Sequence, residues 1–184
     1  MSTLTTARLP KVSSLPLPLK KDLRSDHAGE TGAVYIYHGI LAVSGDADIR
    51  AFAREHLQTE REHLRAFDEW LEPAHKSRLL PVWRLAGWTL GALSVLGGRN
   101  SVFLTIDAVE RFVVEHYAQQ ISFLAGDPAW ASLKAMLTTF MNEEDHHRED
   151  AAQRTAGEPG LLGRLWVKVV DKGSAAGVSV SRAL

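Results

Sequence analysis

The feature that most restricts this chain's fold is an ordered set of acids and histidines: Glu30, then Glu60 with His63, then Glu110, then Glu144 with His147. Glu30 lies in RSDHAGETGAVYIYHG (24–39), between two glycines and an alanine, and Glu110 lies in TIDAVERFVVEHY (105–117). An acid in such a run is costly to bury unless a cation or hydrogen bonds meet it. A search for Glu three residues before His finds Glu60–His63, Glu72–His75, Glu143–His146 and Glu144–His147. With twelve Glu and eight His among 184 residues, chance supplies on the order of half a match. Residues three apart are neighbours on one helix face, so carboxylate and imidazole can converge on one ion. Pro73 interrupts Glu72–His75 and removes it. The remaining order is Glu, Glu-x-x-His, Glu, Glu-x-x-His. A helical bundle that holds two metal ions uses this donor set, with one Glu from each of two helices and one pair from each of the others.

Helix breakers divide the chain to match. A first helix is expected over about 19–43, ended by Gly45, and a second over about 46–71, capped by Asp46. A third runs from about 101 to 125 and stops at AGDP; Asp127 caps a fourth, about 128–154, with Pro128 in its first turn. GEPG then precedes an amphipathic segment from Leu161 to about Asp171. Residues 1–18 read as a Pro-punctuated arm without a signal peptide's apolar core, and 19–184 as one domain. No useful length of β alternation occurs. The expected fold is all-α, a four-helix bundle with an additional apolar crossover helix and a C-terminal amphipathic helix.

Between the second and third long helices, LLPVWRLAGWTLGALSVLGG (79–98) carries one charge, Arg84. It has the length of a membrane span, but Pro81, Arg84 and its four glycines make a poor one. Two readings stand: a buried crossover, or a helix lying in the bilayer surface with Trp83 and Trp88 at the boundary. A second Trp-bearing piece with basic residues, LLGRLWVKVV (161–170), tips the balance toward a membrane surface.

The chain has no cysteine, which excludes disulfides, thiol catalysis and iron–sulfur clusters and leaves His and carboxylate as metal ligands. That donor set favours iron, manganese or zinc. A net charge of -1 argues against nucleic acid as a partner. Glu60 and Glu144 are the expected bridges between two ions, with Glu30, His63, Glu110 and His147 as terminal ligands. Periodicity alone leaves the fourth helix open to Glu143 and His146 instead. Gly29, Gly32 and Ala33 are expected to let helices approach closely near the ions. Asp26 and His27, one turn before Glu30, are candidates to orient a ligand imidazole. Tyr117, seven residues after Glu110, is placed at a substrate cavity or in the core; His38, His56 and His75 are expected at the surface.

Together RSDHAGETGAVYIYHG, TEREH, the apolar 79–98 segment, VERFVVEHYAQQI and EEDHH resemble the demethoxyubiquinone hydroxylase family of ubiquinone biosynthesis, over about 23–152. The resemblance implies a ferritin-like fold holding two iron ions, with molecular oxygen as co-substrate and reduced nicotinamide or another electron donor. The reaction implied is hydroxylation of the ring of a polyprenylated quinone precursor. Carried over by position, the metal ligands are Glu30, Glu60, His63, Glu110, Glu144 and His147, the register supported by Phe140, and His116 and Tyr117 become catalytic candidates. Ile40 stands where the family often has Gln. The implied setting is a membrane surface, on the cytoplasmic face of a bacterial inner membrane or the matrix side of the mitochondrial one. Implied partners are other ubiquinone-biosynthesis proteins, a lipid-binding accessory protein and further copies of the chain. On ligands alone, an iron-oxidising or peroxide-scavenging bundle is the rival; it needs no long apolar crossover.

Overall fold

The computed structural model describes residues 9–184; the first part of the expected arm, residues 1–8, lies outside the described residues. Six α-helices, and no strands among the described residues, come in order: α1 (Leu17–Val43), α2 (Ala47–Trp70), α3 (Leu80–Leu96), α4 (Arg99–Leu124), α5 (Ala131–Arg154) and α6 (Leu161–Ala183). Asp46 caps α2, its side chain accepting from the backbone N–H groups of Asp48 and Ile49. Asp127 accepts from Ala129 N–H, but it caps a short 3-10 turn (Pro128–Trp130), and α5 starts only after it. The final helix runs to Ala183, a dozen residues beyond the expected end near Asp171. Gly173 and Gly177 weaken the sequence signal there, and packing on α1 and α4 outweighs their poor helix propensity.

α1, α2, α4 and α5 make the bundle, with α1 packed on α2 and α4 on α5, while α3 and α6 are laid over α1. Two apolar clusters fill its ends. One is built around Tyr37, Phe52, Phe103 and Ile106. The other gathers Leu23, Phe67, Leu133 and Phe140, and the described part of the arm adds Val12 and Leu15 to it. The acid and histidine positions at 30, 60–63, 110 and 144–147 fall between these clusters along all four helices, so the polar layer is sealed at both ends.

The apolar α3 is neither wholly buried nor free. Its small face, Gly87, Gly91, Ala92 and Ser94, is buried. A Cβ at Gly91 would collide with the Ile36 carbonyl and one at Gly39 with the Trp88 carbonyl, so α1 and α3 touch backbone to backbone. The close approach expected at Gly32 is made by its backbone, since a Cβ at Gly87 of α3 would collide with the Gly32 carbonyl, whereas a Cβ on Gly29 or on Gly32 itself would meet nothing within 4 Å. The opposite face of α3 leaves Val82, Leu85, Trp88, Leu93 and Leu96 exposed, and α6 exposes Leu161, Leu162, Leu165 and Val169. No described helix is long and apolar enough to cross a membrane.

Candidate metal centre

The six acids and histidines converge at mid-bundle, each of them buried. They fall into two groups whose ligating atoms lie within 4.8 Å of one another: Glu30, Glu60, His63 and Glu144, and Glu60, Glu110, Glu144 and His147. Glu60 and Glu144 belong to both. His63 Nδ1 lies 2.8 Å from Glu144 Oε1 and 3.5 Å from Glu30 Oε2. His147 Nδ1 lies 3.1 Å from Glu60 Oε1 and 3.0 Å from Glu144 Oε2, without hydrogen-bond alignment to either. The alternative pair lies outside the cluster: Glu143 and His146 are both exposed, and Glu143 reaches only the outer Nε2 of His63, at 2.7 Å.

Such a layer is electrostatically unstable on its own. Burial, then the nearby Glu144 charge, pushes Glu60 up to about 8. Burial and the charges of Glu144 and Glu60 drive Glu110 well above the carboxylate range, and burial raises Glu30 against the pull of His63. Glu144 resists its own burial because His147 and His63 hold it at about 2. His147 in turn is raised to about 11 by Glu144 and Glu60, against burial. Protons on the imidazoles thus stand where divalent cations would relieve the same repulsion. The unmatched atoms agree: Glu30 Oε2, both oxygens of Glu60, Glu144 Oε2 and His147 Nδ1 are buried without hydrogen-bond partners. Four carboxylates and two neutral imidazoles would balance two divalent ions, and this all-O,N donor set suits iron or manganese.

Tyrosines secure the outer acids. Tyr117 donates a short hydrogen bond to Glu30 Oε1, and Tyr37 donates weakly, at 3.5 Å, to Glu110 Oε1. Each tyrosine stands seven residues after the terminal Glu of its own helix and reaches the Glu of the other. The two halves of the bundle also match around the histidines: Phe140 stacks on His63 at 4.0 Å, and His56 tilts against His147 at 4.3 Å. Tyr37 escapes the sequence reading, although its spacing from Glu30 repeats that of Tyr117 from Glu110.

Other expected partners are different in the structure. Asp26 does not reach a ligand imidazole; its Oδ1 pairs with His116 Nε2 at 3.0 Å and accepts from Gln120 Nε2 at 2.9 Å. His27 pairs with Asp68 at 3.0 Å, because it faces α2 rather than the bundle axis. His56, expected at the surface, is buried and bonded to Asp150 at 2.9 Å. It lies four residues before Glu60, hence on the inward face of α2. His38 and His75 are partly exposed.

A cavity of about 260 Å³ abuts the carboxylates. Glu30, Glu60, Glu110, Glu144 and Tyr117 line its inner end, and α3 (Trp83, Ala86, Gly87, Leu90) and α6 (Gly173, Gly177, Val178) line its outer part. Gly29, Gly32 and Ala33 also face this space, so two missing side chains and one small one leave volume beside the acids. An apolar cavity of about 150 Å³ accepts benzene; this one has room for a substituted ring. Its outer rim includes the exposed Ala86 and Gly173.

A family model described as "Ubiquinone biosynthesis protein COQ7" matches residues 18–181. A 3-demethoxyubiquinol 3-hydroxylase of Rhodospirillum rubrum is 34% identical over 165 residues, covering 86% of this chain and 77% of that protein. Mitochondrial NADPH-dependent 3-demethoxyubiquinone 3-hydroxylases of Rattus norvegicus and Mus musculus are each 32% identical over 164 residues, covering 86% of this chain and 75% of theirs. A buried two-group cluster of Glu and His in an all-α bundle, matched along nearly its whole length, makes this chain a member of the COQ7 family of ubiquinone biosynthesis proteins.

Proposed function

We propose that this protein is an oxygen-dependent di-iron monooxygenase that hydroxylates the ring of a polyprenylated demethoxyubiquinone or its quinol in ubiquinone biosynthesis. The observation that carries the reading is the junction of the paired Glu/His cluster with an apolar-walled cavity leading out between α3 and α6. A centre that only oxidised ferrous iron would have no use for that cavity.

In this reading Glu30 and His63 would hold one ion and Glu110 and His147 the other, with Glu60 and Glu144, which belong to both groups, shared between them. When bound, the ions supply the two-electron chemistry by which one atom of oxygen enters the ring and the other leaves as water. The electrons come from an external donor, with reduced nicotinamide the candidate because the rat and mouse relatives are named NADPH-dependent. Tyr117 keeps a proton at Glu30 Oε1, which fixes that carboxylate on the cavity side. His116, raised by Asp26 against its own burial, holds a proton on the same wall. Gly29 and Gly32 leave the ring edge free to approach the acids, while Leu90 and Trp83 exclude water. The tail leaves between α3 and α6, whose exposed leucines would rest in the membrane surface. The protein would thus act as a peripheral membrane enzyme.

The test is anaerobic reconstitution with ferrous iron, then addition of reductant, isotopically labelled oxygen and a short-tailed demethoxyquinone. Mass analysis should find one labelled oxygen in the ring, and Glu60→Ala should abolish it. Rapid oxidation of ferrous iron with unaltered quinone would instead indicate the iron-oxidising reading.

A further inference from the structure

His63 and His147 hold equivalent places in the two halves of the bundle, yet their rings are supported differently. Each turns Nδ1 toward the shared carboxylates. On its outer edge, His63 presents Nε2 to Glu143 Oε2 at 2.7 Å. The carboxylates paired with His147 are Glu60 and Glu144, both on the cluster side. The residue before Glu60, which corresponds to Glu143 before Glu144, is Thr59. His147 is backed by the His56 ring, which Asp150 holds in place.

An imidazole that donates its outer N–H to a carboxylate has its tautomer fixed and its inner nitrogen made a stronger donor to metal. Glu143 is suited to this role and not to ligation: its side chain is 46% exposed, and it meets the outer edge of a ring that is itself buried. Phe140, stacked on His63 with the two rings tilted by 26°, blocks the ring from swinging away.

We propose that Glu143 is a positioning residue: it fixes His63 with Nδ1 toward the cluster and makes the Glu30/Glu60/His63/Glu144 half-site the tighter of the two. The proposal rests on the two-ion reading above. It assigns an order of filling, in which the half-site of His63 loads first and that of His147 second.

The experiment is anaerobic titration of the full-length protein with Co(II) alone, read by ligand-field absorption and by equilibrium metal content. The wild type should take up two ions in two resolved steps. Glu143→Ala should weaken one step on the order of 10–100-fold, change the spectrum of that ion and leave the other step in place, while Glu143→Asp recovers part of the loss. Glu149→Gln, which removes a more exposed acid from the same helix, controls for general surface charge. Wild-type affinities and spectra in Glu143→Ala would overturn the proposal. Equal weakening of both steps, matched by Glu149→Gln, would also overturn it. Uptake of fewer than two ions by the wild type would instead overturn the two-ion reading, with the order of filling falling with it.

Discussion

Without metal, the folded protein should lose stability as pH rises through neutrality, and Glu60 sets the size of the effect. Its carboxyl is fully buried and rises from 4.5 to about 8 in the folded chain. Between those values the folded form keeps a proton that the unfolded chain has released, so stability is present below pH 4.5 and drains away toward pH 8. At about 1.4 kcal/mol per pH unit the full window is worth roughly 5 kcal/mol. His147, raised from 6.5 to about 11, acts in the same direction above pH 6.5. The two face each other at 3.1 Å, share one interaction and do not add. From pH 5.5 to 8 Glu60 alone costs about 3 kcal/mol. His56, pressed down to about 4 mainly by burial, returns about 1.4 kcal/mol as pH rises past 6.5. The net loss of about 1.5 kcal/mol lowers Tm by roughly 3–6 °C for a chain of this length. Thermal unfolding of chelator-treated protein, monitored by circular dichroism, measures it directly. Glu60→Gln should flatten the slope, and saturating divalent metal should remove it in the wild type, because ions replace the protons. A Tm that is flat or rising across this range, or an unchanged slope in Glu60→Gln, would show that Glu60 does not carry an extra proton in the folded chain.

Replacing Leu85, Leu93 and Leu96 together with Glu should release the protein from anionic liposomes in a flotation assay while leaving its helicity intact, since these side chains are 68%, 47% and 75% exposed; undiminished binding would count against α3 as the docking helix. Gly91→Val, which drives a side chain into the Ile36 carbonyl, should cost about 1–3 kcal/mol or more in denaturant unfolding; a neutral result would mean that α1 and α3 are not in backbone contact. His147→Ala should lower bound metal measured by elemental analysis, while His146→Ala leaves it unchanged; the reverse pattern would move the register of α5 by one residue.

The long helices are readable in the chain because their stops are local: Asp46 and Asp127 cap the next helical turns, and Gly45 and Gly126 break the helices before them. Periodicity puts Glu60 and His63 on one face, but it cannot choose between the two pairs in NEEDHH, since Phe140 and Met141 are both apolar. The choice depends on which face of α5 meets α4, a tertiary fact. His56 is misread from sequence because a histidine in a charged stretch carries no mark of burial; only the fold brings Asp150 to its ring. Glycines are similarly ambiguous. Gly29 opens volume, Gly32 does so while its carbonyl also meets Gly87 of α3, and Gly39 and Gly91 close a helix contact, yet all look alike in the chain. The end of α6 is hidden because its helical state is imposed by α1 and α4 more than by its own Gly- and Ser-rich residues. α3 combines both readings of its sequence, with a small face buried and a large face exposed, a division that Gly, Ala and Ser at helical spacing already encode.

Six side chains from four helices are expected to hold a pair of ions. Diffraction from crystals grown without oxygen and loaded with ferrous iron, recorded on both sides of the iron absorption edge, tests it most directly. Two anomalous peaks per chain are expected, with Glu60 and Glu144 between them, His63 at one and His147 at the other. A single peak, or density at Glu143 and His146 on the outer face of α5, would contradict it.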